Sequence, residues 1–324
     1  MHKLIIQIPC LNEEASLPAT LGDLPRRVEG FDAVEWLVVD DGSTDGTVEV
    51  ARRMGVDHIV SLPRNQGLAT AFRVGLETAL KLGADVIVNT DGDNQYSAAS
   101  IPALLRPILE GRALIVVGER PVAETAHFSL AKRVLQRFGS WVVKVASGTE
   151  VADAPSGFRA IHRDAAIRLS VTDRYTYTLE TIIQAGRRQI PIVSVPVRTN
   201  PNLRPSRLVR STLGYVARSM ATIVRIFILY KPLRFFLLAA AVTLLPGAVM
   251  IVRFLIRYAM GNGQGNVQSL VLSGALVAVA AVLAIAGVLA DLIATNRIML
   301  EEIRARLLAQ ELEGRLSGAS GPGP

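Results

Sequence analysis

Two long apolar stretches, Phe235–Ile256 and Val267–Leu292, restrict what this chain can fold into more than any other feature of it. At about 1.5 Å of rise per residue, a helix of about 20 residues matches the hydrocarbon thickness of a bilayer, and each stretch reaches that length. The only acidic residue in either is Asp291, at the very end of the second. Between them, the polar, Gly-containing segment Gly261–Asn266 turns the chain back, so the pair reads as a membrane-spanning helical hairpin. Half of the chain is hydrophobic and its mean hydropathy is +0.35, an excess that sits in these two stretches.

Charge divides along the same line. Residues 1–200 carry 22 Lys and Arg against 23 Asp and Glu, whereas residues 201–324 carry 13 against 5. Seven basic residues and no acidic one lie between Arg204 and Arg234, just before the first apolar stretch. Such a run marks the cytoplasmic side and suits anionic lipid headgroups. Beside two spans it argues against nucleic acid as the partner. The expected location is therefore a multi-pass protein of the cell membrane with its large N-terminal domain in the cytoplasm. The apolar run from Leu4 to Pro9 is too short for a secretory leader, and Glu13 and Glu14 follow at once. Cys10 is the single cysteine, which excludes an intrachain disulfide and agrees with a reducing compartment.

Over residues 1–200 short β-rich runs alternate with helical patterns, the signature of an α/β domain with a mainly parallel sheet covered by helices. Strands are predicted at Leu4–Pro9, Trp36–Asp40, His58–Ser61, Asp85–Thr90, Leu114–Gly118 and Ile190–Val197. Their near-continuous apolar character fits burial on both faces. Helices are predicted near Glu14–Leu24, Thr47–Met54, Leu68–Leu82, Ser100–Glu110, Phe128–Ser147 and Leu179–Arg187, with Ala152–Arg159 a polar segment. From Ser206 to Tyr230, apolar residues recur at helical spacing with Arg207, Arg210, Arg218 and Arg225 among them. This reads as amphipathic helix on the membrane surface, or as a helix packed on a domain. The expected organisation is a domain over 1–200, basic interface helices over 201–232, the anchor over 233–293, and a charged amphipathic helix (Asn296–Arg315) with a disordered tail from Ser317.

The residue pattern that carries chemistry is acidic and recurs at strand ends. Strand two runs into Val38-Val-Asp-Asp-Gly-Ser-Thr-Asp45 and strand four into Asn89-Thr-Asp-Gly-Asp-Asn-Gln95. Open α/β sheets bind ligands at the C-terminal ends of their strands. Asp91 and Asp93 are two apart, a spacing that lets both face one cation from an extended strand end, with Gln95 as a further oxygen donor. Taken singly, an Asp-Gly after a strand is a turn, and Asp-Asp-Gly-Ser-Thr-Asp a helix cap. Their order and placement together are more specific.

With Ile8-Pro-Cys-Leu-Asn-Glu-Glu14 in front of them, these motifs resemble the successive signatures of family-2 glycosyltransferases over roughly residues 4–200. Within that family the chain is similar to the dolichol-phosphate mannose synthase and polyprenyl-phosphate glycosyltransferase branch. The resemblance implies a GT-A fold, transfer from a nucleotide-sugar donor with inversion to a polyprenyl phosphate, Mg²⁺ or Mn²⁺ as cofactor, and a homo-oligomer, a tetramer in the branch. It implies a base and ribose pocket of Pro9, Leu11, Glu13, Asp40 and Asp41, and a metal and diphosphate site of Asp91, Asp93 and Gln95. Leu11 stands where some relatives carry an aromatic residue. Gly118-Glu-Arg120 resembles a Gly-Ser-Arg segment of the branch, and Arg133 follows on the next helix; both are expected to meet phosphate. Ser156-Gly-Phe-Arg159, preceded by Asp153, resembles an acceptor-side loop, and Glu180 falls in the helix that resembles one near the acceptor. Arg204-Pro-Ser-Arg207, including Ser206, resembles a loop that closes over the donor diphosphate.

A phosphate monoester acceptor is already largely a dianion at neutral pH, because its second pKa is about 6. Positioning and charge control therefore matter more than a general base. A processive polysaccharide synthase would carry Gln-x-x-Arg-Trp and more spans; here Gln184-Ala-Gly-Arg187 is followed by Arg188. Transfer to a glycan or glycolipid hydroxyl is the alternative kept open. A non-catalytic scaffold fits poorly with Asp40, Asp91 and Asp93 all in place. A dinucleotide oxidoreductase would need Gly-x-Gly-x-x-Gly after strand one, which is absent.

Overall fold

The structure, a computed structural model, describes residues 2–121, 147–149, 151, 153–171, 177–201, 225, 228, 230–261 and 267–319. Arg133, Arg204, Ser206 and Arg207, all of the helix expected over Phe128–Ser147 except Ser147, and nearly all of the basic segment over 206–230 lie outside the described residues. Two units are distinguished, residues 1–216 with 302–324, and residues 217–301.

In the first unit the strands are β1 (Lys3–Cys10), β2 (Ala33–Asp40), β3 (His58–Ser61), β4 (Val86–Asn89), β5 (Ile115–Glu119), β6 (Arg159–His162) and β7 (Ile192–Pro196). They form one sheet in the order β3-β2-β1-β4-β6-β5-β7. All neighbours pair in parallel except β6, which is antiparallel to both β4 and β5. The α-helices between them are α1 (Leu17–Asp23), α2 (Thr47–Arg53), α3 (Leu68–Lys81), α4 (Ile101–Leu109), α5 (Arg163–Arg168) and α6 (Tyr177–Arg187).

Strand β1 shows why the sheet must be covered on both sides. Leu4, Ile6 and Ile8 share a core with Leu17 and Leu21 of α1, Val50 of α2 and Leu104 of α4. Ile5 packs into a second core with Leu37, Val39, Phe72 and Leu76 of α3, and Ala165 of α5. Alternate side chains point to opposite faces, so a strand with no solvent face is apolar at nearly every position.

Strand β6 and helix α5 differ from expectation. The sequence reads as polar up to Arg159, and a four-residue strand, Arg-Ala-Ile-His, has no room for a periodic signal. Its register pairs Asn89 with Arg159, so an antiparallel β6 starts where β4 ends and carries residues 153–158 to the same sheet edge.

The second unit holds α7 (Pro232–Ala259) and most of α8 (Val267–Ala319). Both helices are long and apolar enough to cross a membrane. They approach closely through glycines. A Cβ at Gly247 would lie 3.1 Å from Leu276 and one at Gly287 2.8 Å from Phe236, an antiparallel pairing held by small residues. Many apolar side chains face outward, with Leu238, Leu245, Val271 and Ile293 each about 70% exposed.

Helix α8 runs unbroken through residues 296–315, where a charged amphipathic helix was expected, and on to Ala319, where a disordered tail was expected from Ser317. No proline interrupts it after Leu292, and good helix formers continue the turn. Its last turns belong to the first unit. Leu312 is buried and Leu308 partly buried in the second core beside Leu169 and Val171. Arg304 donates to Glu77 Oε1 at 2.5 Å and to the Leu169 carbonyl at 3.2 Å.

Candidate active site

The chain leaves β1 for β2 and β3 on one side and returns to β4 on the other. Where strand order reverses in this way, a crevice opens beyond the C-terminal strand ends. Pro9 and Cys10 of β1, Asp40 of β2, and the turn after Asn89 of β4 all lie at that edge.

Pro9 lacks the N–H that an interior strand residue donates, yet it disrupts nothing. The β1–β4 ladder ends at Gln7 and Asn89, with Gln7 O accepting from Thr90 N at 3.1 Å. Pro9 faces the same side as Gln7, beyond the end of β4, where no ladder bond is due. The Cys10 thiol is pushed well above its ordinary range by burial, and further by Glu13, Asp40 and Asp91. It is an inert thiol ringed by carboxylates.

Two loops meet in front of β1 and β2. Asn12 N donates to Ser43 Oγ at 2.9 Å and Thr44 N to Asn12 Oδ1 at 2.8 Å. Glu13 N donates to Thr47 Oγ1 at 2.9 Å, and Gly46 N to Glu14 Oε2 at 3.0 Å. Leu11 is half-buried and Glu13 buried within this lattice, with the Glu13 carboxylate accepting from Ser16 Oγ. Asp40 accepts from Ser43 N at 2.9 Å. Asp41 has both oxygens engaged by backbone, Oδ1 by Gln66 N at 2.8 Å and Oδ2 by Gly67 N at 2.9 Å. Its role is thus to hold the β3–α3 loop against Gly42, where an added Cβ would fall 2.6 Å from Arg64. The adjacent pair has divided: Asp41 holds the β3–α3 loop, and Asp40 sits at the strand end.

Asp91 and Asp93 follow β4, both half-buried. Withdrawal from water, and then the nearby Asp93 carboxylate, push Asp91 up to about 7; Arg120 opposes this, Glu13 adds to it, and Arg159 opposes it. Asp93 Oδ1 accepts from Gln95 N at 3.2 Å, which closes a tight turn. Among the described residues no three His, Cys, Asp or Glu side chains converge on one point. A small hard cation fits this set nonetheless. Mg²⁺ typically takes one or two carboxylates and completes its shell with phosphate oxygens and water. Repulsion between Asp91 and Asp93 is the electrostatic signature of a pair that a divalent cation would neutralise.

Arg120, at the end of β5, is fixed by Asp153. Its Nε and Nη2 reach the two carboxylate oxygens at 2.7 and 2.9 Å, and its N–H reaches Oδ2 at 3.2 Å. This bidentate pair orients a guanidinium that electrostatically opposes the upward shift of Asp91. Arg159 behaves differently from a surface basic residue. It is fully buried and donates to the carbonyls of Ser156, Thr178 and Ala154 at 2.8, 2.9 and 2.8 Å, and to Thr181 Oγ1 at 2.5 Å. It ties the 154–158 loop to α6. Glu180 is also buried on α6, with Gln184 Nε2 at 3.5 Å.

Sequence reasoning missed a buried polar chain beneath the site. Gln7 Nε2 donates to Asn89 Oδ1 at 2.8 Å; Asn89 Nδ2 donates to the Gly157 carbonyl at 2.7 Å and to Tyr177 Oη at 3.1 Å. Tyr177 stacks on Phe72 at 3.9 Å, and Tyr96, which accepts from Gly157 N at 3.2 Å, stacks on Phe158 at 5.0 Å. A Cβ at Gly157 would lie 2.9 Å from Tyr177 Oη and 3.0 Å from Asp91 Oδ1. The signal was a polar residue inside an apolar strand run, Gln7 in Leu-Ile-Ile-Gln-Ile and Asn89 after Val-Ile-Val.

Comparison with known proteins agrees with this geometry. The family model described as Glycosyl transferase family 2 matches residues 5–170. An uncharacterized glycosyltransferase of Mycobacterium tuberculosis (strain H37Rv) is 34% identical over 198 residues, 60% of this chain and 84% of that one. The undecaprenyl-phosphate mannosyltransferase of Micrococcus luteus is 29% identical over 205 residues, 60% of this chain and 82% of the other. Among solved structures, glucosyl-3-phosphoglycerate synthase of M. tuberculosis, in complex with Mn²⁺, UDP-glucose and phosphoglyceric acid, superposes with a TM-score of 0.55 at 24% identity, over 69% of this chain and 79% of that one. That likeness supports the GT-A fold.

Proposed function

This chain belongs to glycosyl transferase family 2, and on that premise we propose that it transfers a sugar, with inversion, from a nucleotide-sugar donor to a polyprenyl phosphate at the cytoplasmic face of a membrane. The observation that carries the reading is the meeting, at one sheet edge, of a carboxylate pair (Asp91, Asp93) and an oriented guanidinium (Arg120), in a chain whose other unit holds two helices long and apolar enough to cross a membrane. Likeness to a transferase named for undecaprenyl phosphate supports the same acceptor class. The outward apolar faces of α7 and α8 favour lipid surroundings, because contiguous exposed apolar surface on this scale is unfavourable in water.

Asp91 and Asp93, with Gln95, would hold Mg²⁺ or Mn²⁺, which when bound supplies positive charge for the donor diphosphate as it departs. Leu11, Glu13 and Asp40 line the side of the crevice where the nucleoside part of the donor fits, and Asp41 keeps that wall in place through Gln66 and Gly67. Arg120, held by Asp153, is placed to meet phosphate. Both Asp153 oxygens are engaged by Arg120, so this pair serves to orient the guanidinium. Arg204, Ser206 and Arg207 would close over the donor, and the basic segment before α7 would draw the anionic acceptor to the interface.

The test is to incubate the purified full-length chain in detergent with undecaprenyl phosphate and a panel of nucleotide sugars, and to weigh the lipid product. The reading expects one donor to add a single sugar residue in a reaction that EDTA stops and Mn²⁺ or Mg²⁺ restores. Failure of every donor to glycosylate the lipid, while a glycan accepts sugar, overturns it.

A further inference from the structure

Asn94 stands between two of the residues assigned to the cation, Asp93 and Gln95, with a backbone φ of 58°. Asn tolerates that left-handed conformation better than most L-residues, but it remains less favourable than negative φ and is favoured here by the contacts around it. Much of the hold comes from one side chain 106 positions away. Asn200 Nδ2 donates to the Asn94 carbonyl at 3.1 Å and lies 3.3 Å from Asn94 Oδ1, while the Asn200 N–H donates to the Gln95 carbonyl at 2.8 Å. Its neighbours extend the grip: Tyr96 bridges Thr199, Ser97 N donates to Arg198 O at 3.0 Å, and Arg198 N donates to Ser100 Oγ at 3.0 Å. From the other side, Asn94 Nδ2 donates to Asp23 Oδ2 at 3.1 Å and Thr20 Oγ1 to the Gly92 carbonyl at 3.0 Å.

We propose that Asn200 is a positioning residue that holds the Asp91–Gln95 turn in the shape that takes a divalent cation. Without its side chain, Asn94 gains by relaxing to negative φ. That rotation turns Gln95 away from Asp93, because the two flank the residue that moves. Pro201 follows directly and restricts Asn200 to extended backbone, so the amide is presented from a stiff segment. This proposal rests on the assignment of Asp91, Asp93 and Gln95 to the cation.

The experiment measures binding rather than turnover. Mn²⁺ is titrated into the full-length chain in detergent, and free Mn²⁺ is read by electron paramagnetic resonance. Asn200→Ala and Asn200→Leu each remove the donor and should weaken Mn²⁺ by about tenfold. Asn94→Gly, which adopts φ > 0 without strain, should restore Asn200→Ala to within about twofold of the parent. Wild-type affinity in both Asn200 variants, or a double variant as weak as Asn200→Ala, overturns the proposal. Asp93→Asn in the same titration separates the two ideas. If it binds Mn²⁺ like the parent, the cation assignment itself fails; if it loses Mn²⁺ while the Asn200 variants keep it, only the role of Asn200 fails.

Discussion

Replacing Asp91 by Asn should make the metal-free protein more stable at pH 8 and leave its stability unchanged at pH 4. The carboxyl sits at about 7 instead of its ordinary 3.8, chiefly through withdrawal from water and then through Asp93. A carboxyl whose folded pKa exceeds its unfolded value favours folding while it is protonated. That contribution is full below about 4 and is lost as pH rises through about 7. A tenfold change in a proton's affinity corresponds to about 1.4 kcal/mol, so ionising Asp91 in the folded chain costs at most about 4 kcal/mol, and about half of that where solvent reaches the half-buried group. Asp91→Asn removes this cost. In EDTA at pH 8 it should melt several degrees higher than the parent, by about 2–4 °C per kcal/mol for a domain of this size. The parent has a second signature. Mn²⁺ must displace the Asp91 proton below about pH 7, so its apparent affinity should fall about tenfold per pH unit between pH 7 and 5. Thermal melts across pH with and without EDTA, together with Mn²⁺ titrations, read both. Coincident melts of variant and parent at pH 8, or an Mn²⁺ affinity flat from pH 5 to 7, would refute the reasoning.

Arg159→Met should cost about 3–5 kcal/mol in thermal unfolding, because it orphans the carbonyls of Ala154, Ser156 and Thr178 in the interior; Arg159→Lys should not rescue it, since an ammonium cannot span the same acceptors. Gly157→Ala should destabilise by about 1–3 kcal/mol and lower kcat more than it raises KM for the donor, since the new Cβ meets Tyr177 and Asp91. Leu312→Ala should cost about 2–4 kcal/mol, measured as loss of the catalytic unit's melting temperature, although the residue lies beyond the second span. A cysteine at position 262, placed after Cys10 is replaced by Ala, should react with an impermeant reagent in intact cells while one in the C-terminal tail does not; the reverse pattern would invert the topology.

The parts of this fold that were legible are those written in local pattern. Apolar runs marked β1 to β5 and β7, and His58–Ser61 was placed to the residue, because strands buried on both faces cannot hide their composition. β6 was not legible: Arg159 opens it, and only the tertiary cage of carbonyls explains a guanidinium there. The Asp-x-Asp pair was legible in the sequence as an extended strand end, whereas it stands in a turn after β4; the supports of that turn were not legible, because Gly157, Tyr177 and Asn200 reach it from 66, 86 and 109 positions away counted from Asp91. The pairing of Arg120 with Asp153 likewise has no local signature. The docking of Leu308 and Leu312 was hidden because a stripe of leucines on a charged helix fits a membrane surface as well as a protein core.

The central claim is that the acceptor is a lipid phosphate, and acceptor discrimination tests it most directly. The full-length chain, Mn²⁺ and the nucleotide sugar it uses are offered undecaprenyl phosphate and undecaprenol at equal concentration, and the products are separated and weighed. Loss of one hydrogen-bonded charge at a site built for it typically costs about 2–5 kcal/mol, at least a roughly thirtyfold loss of rate. The account predicts glycosylated undecaprenyl phosphate with undecaprenol left essentially untouched. Equal or faster glycosylation of the alcohol would contradict it.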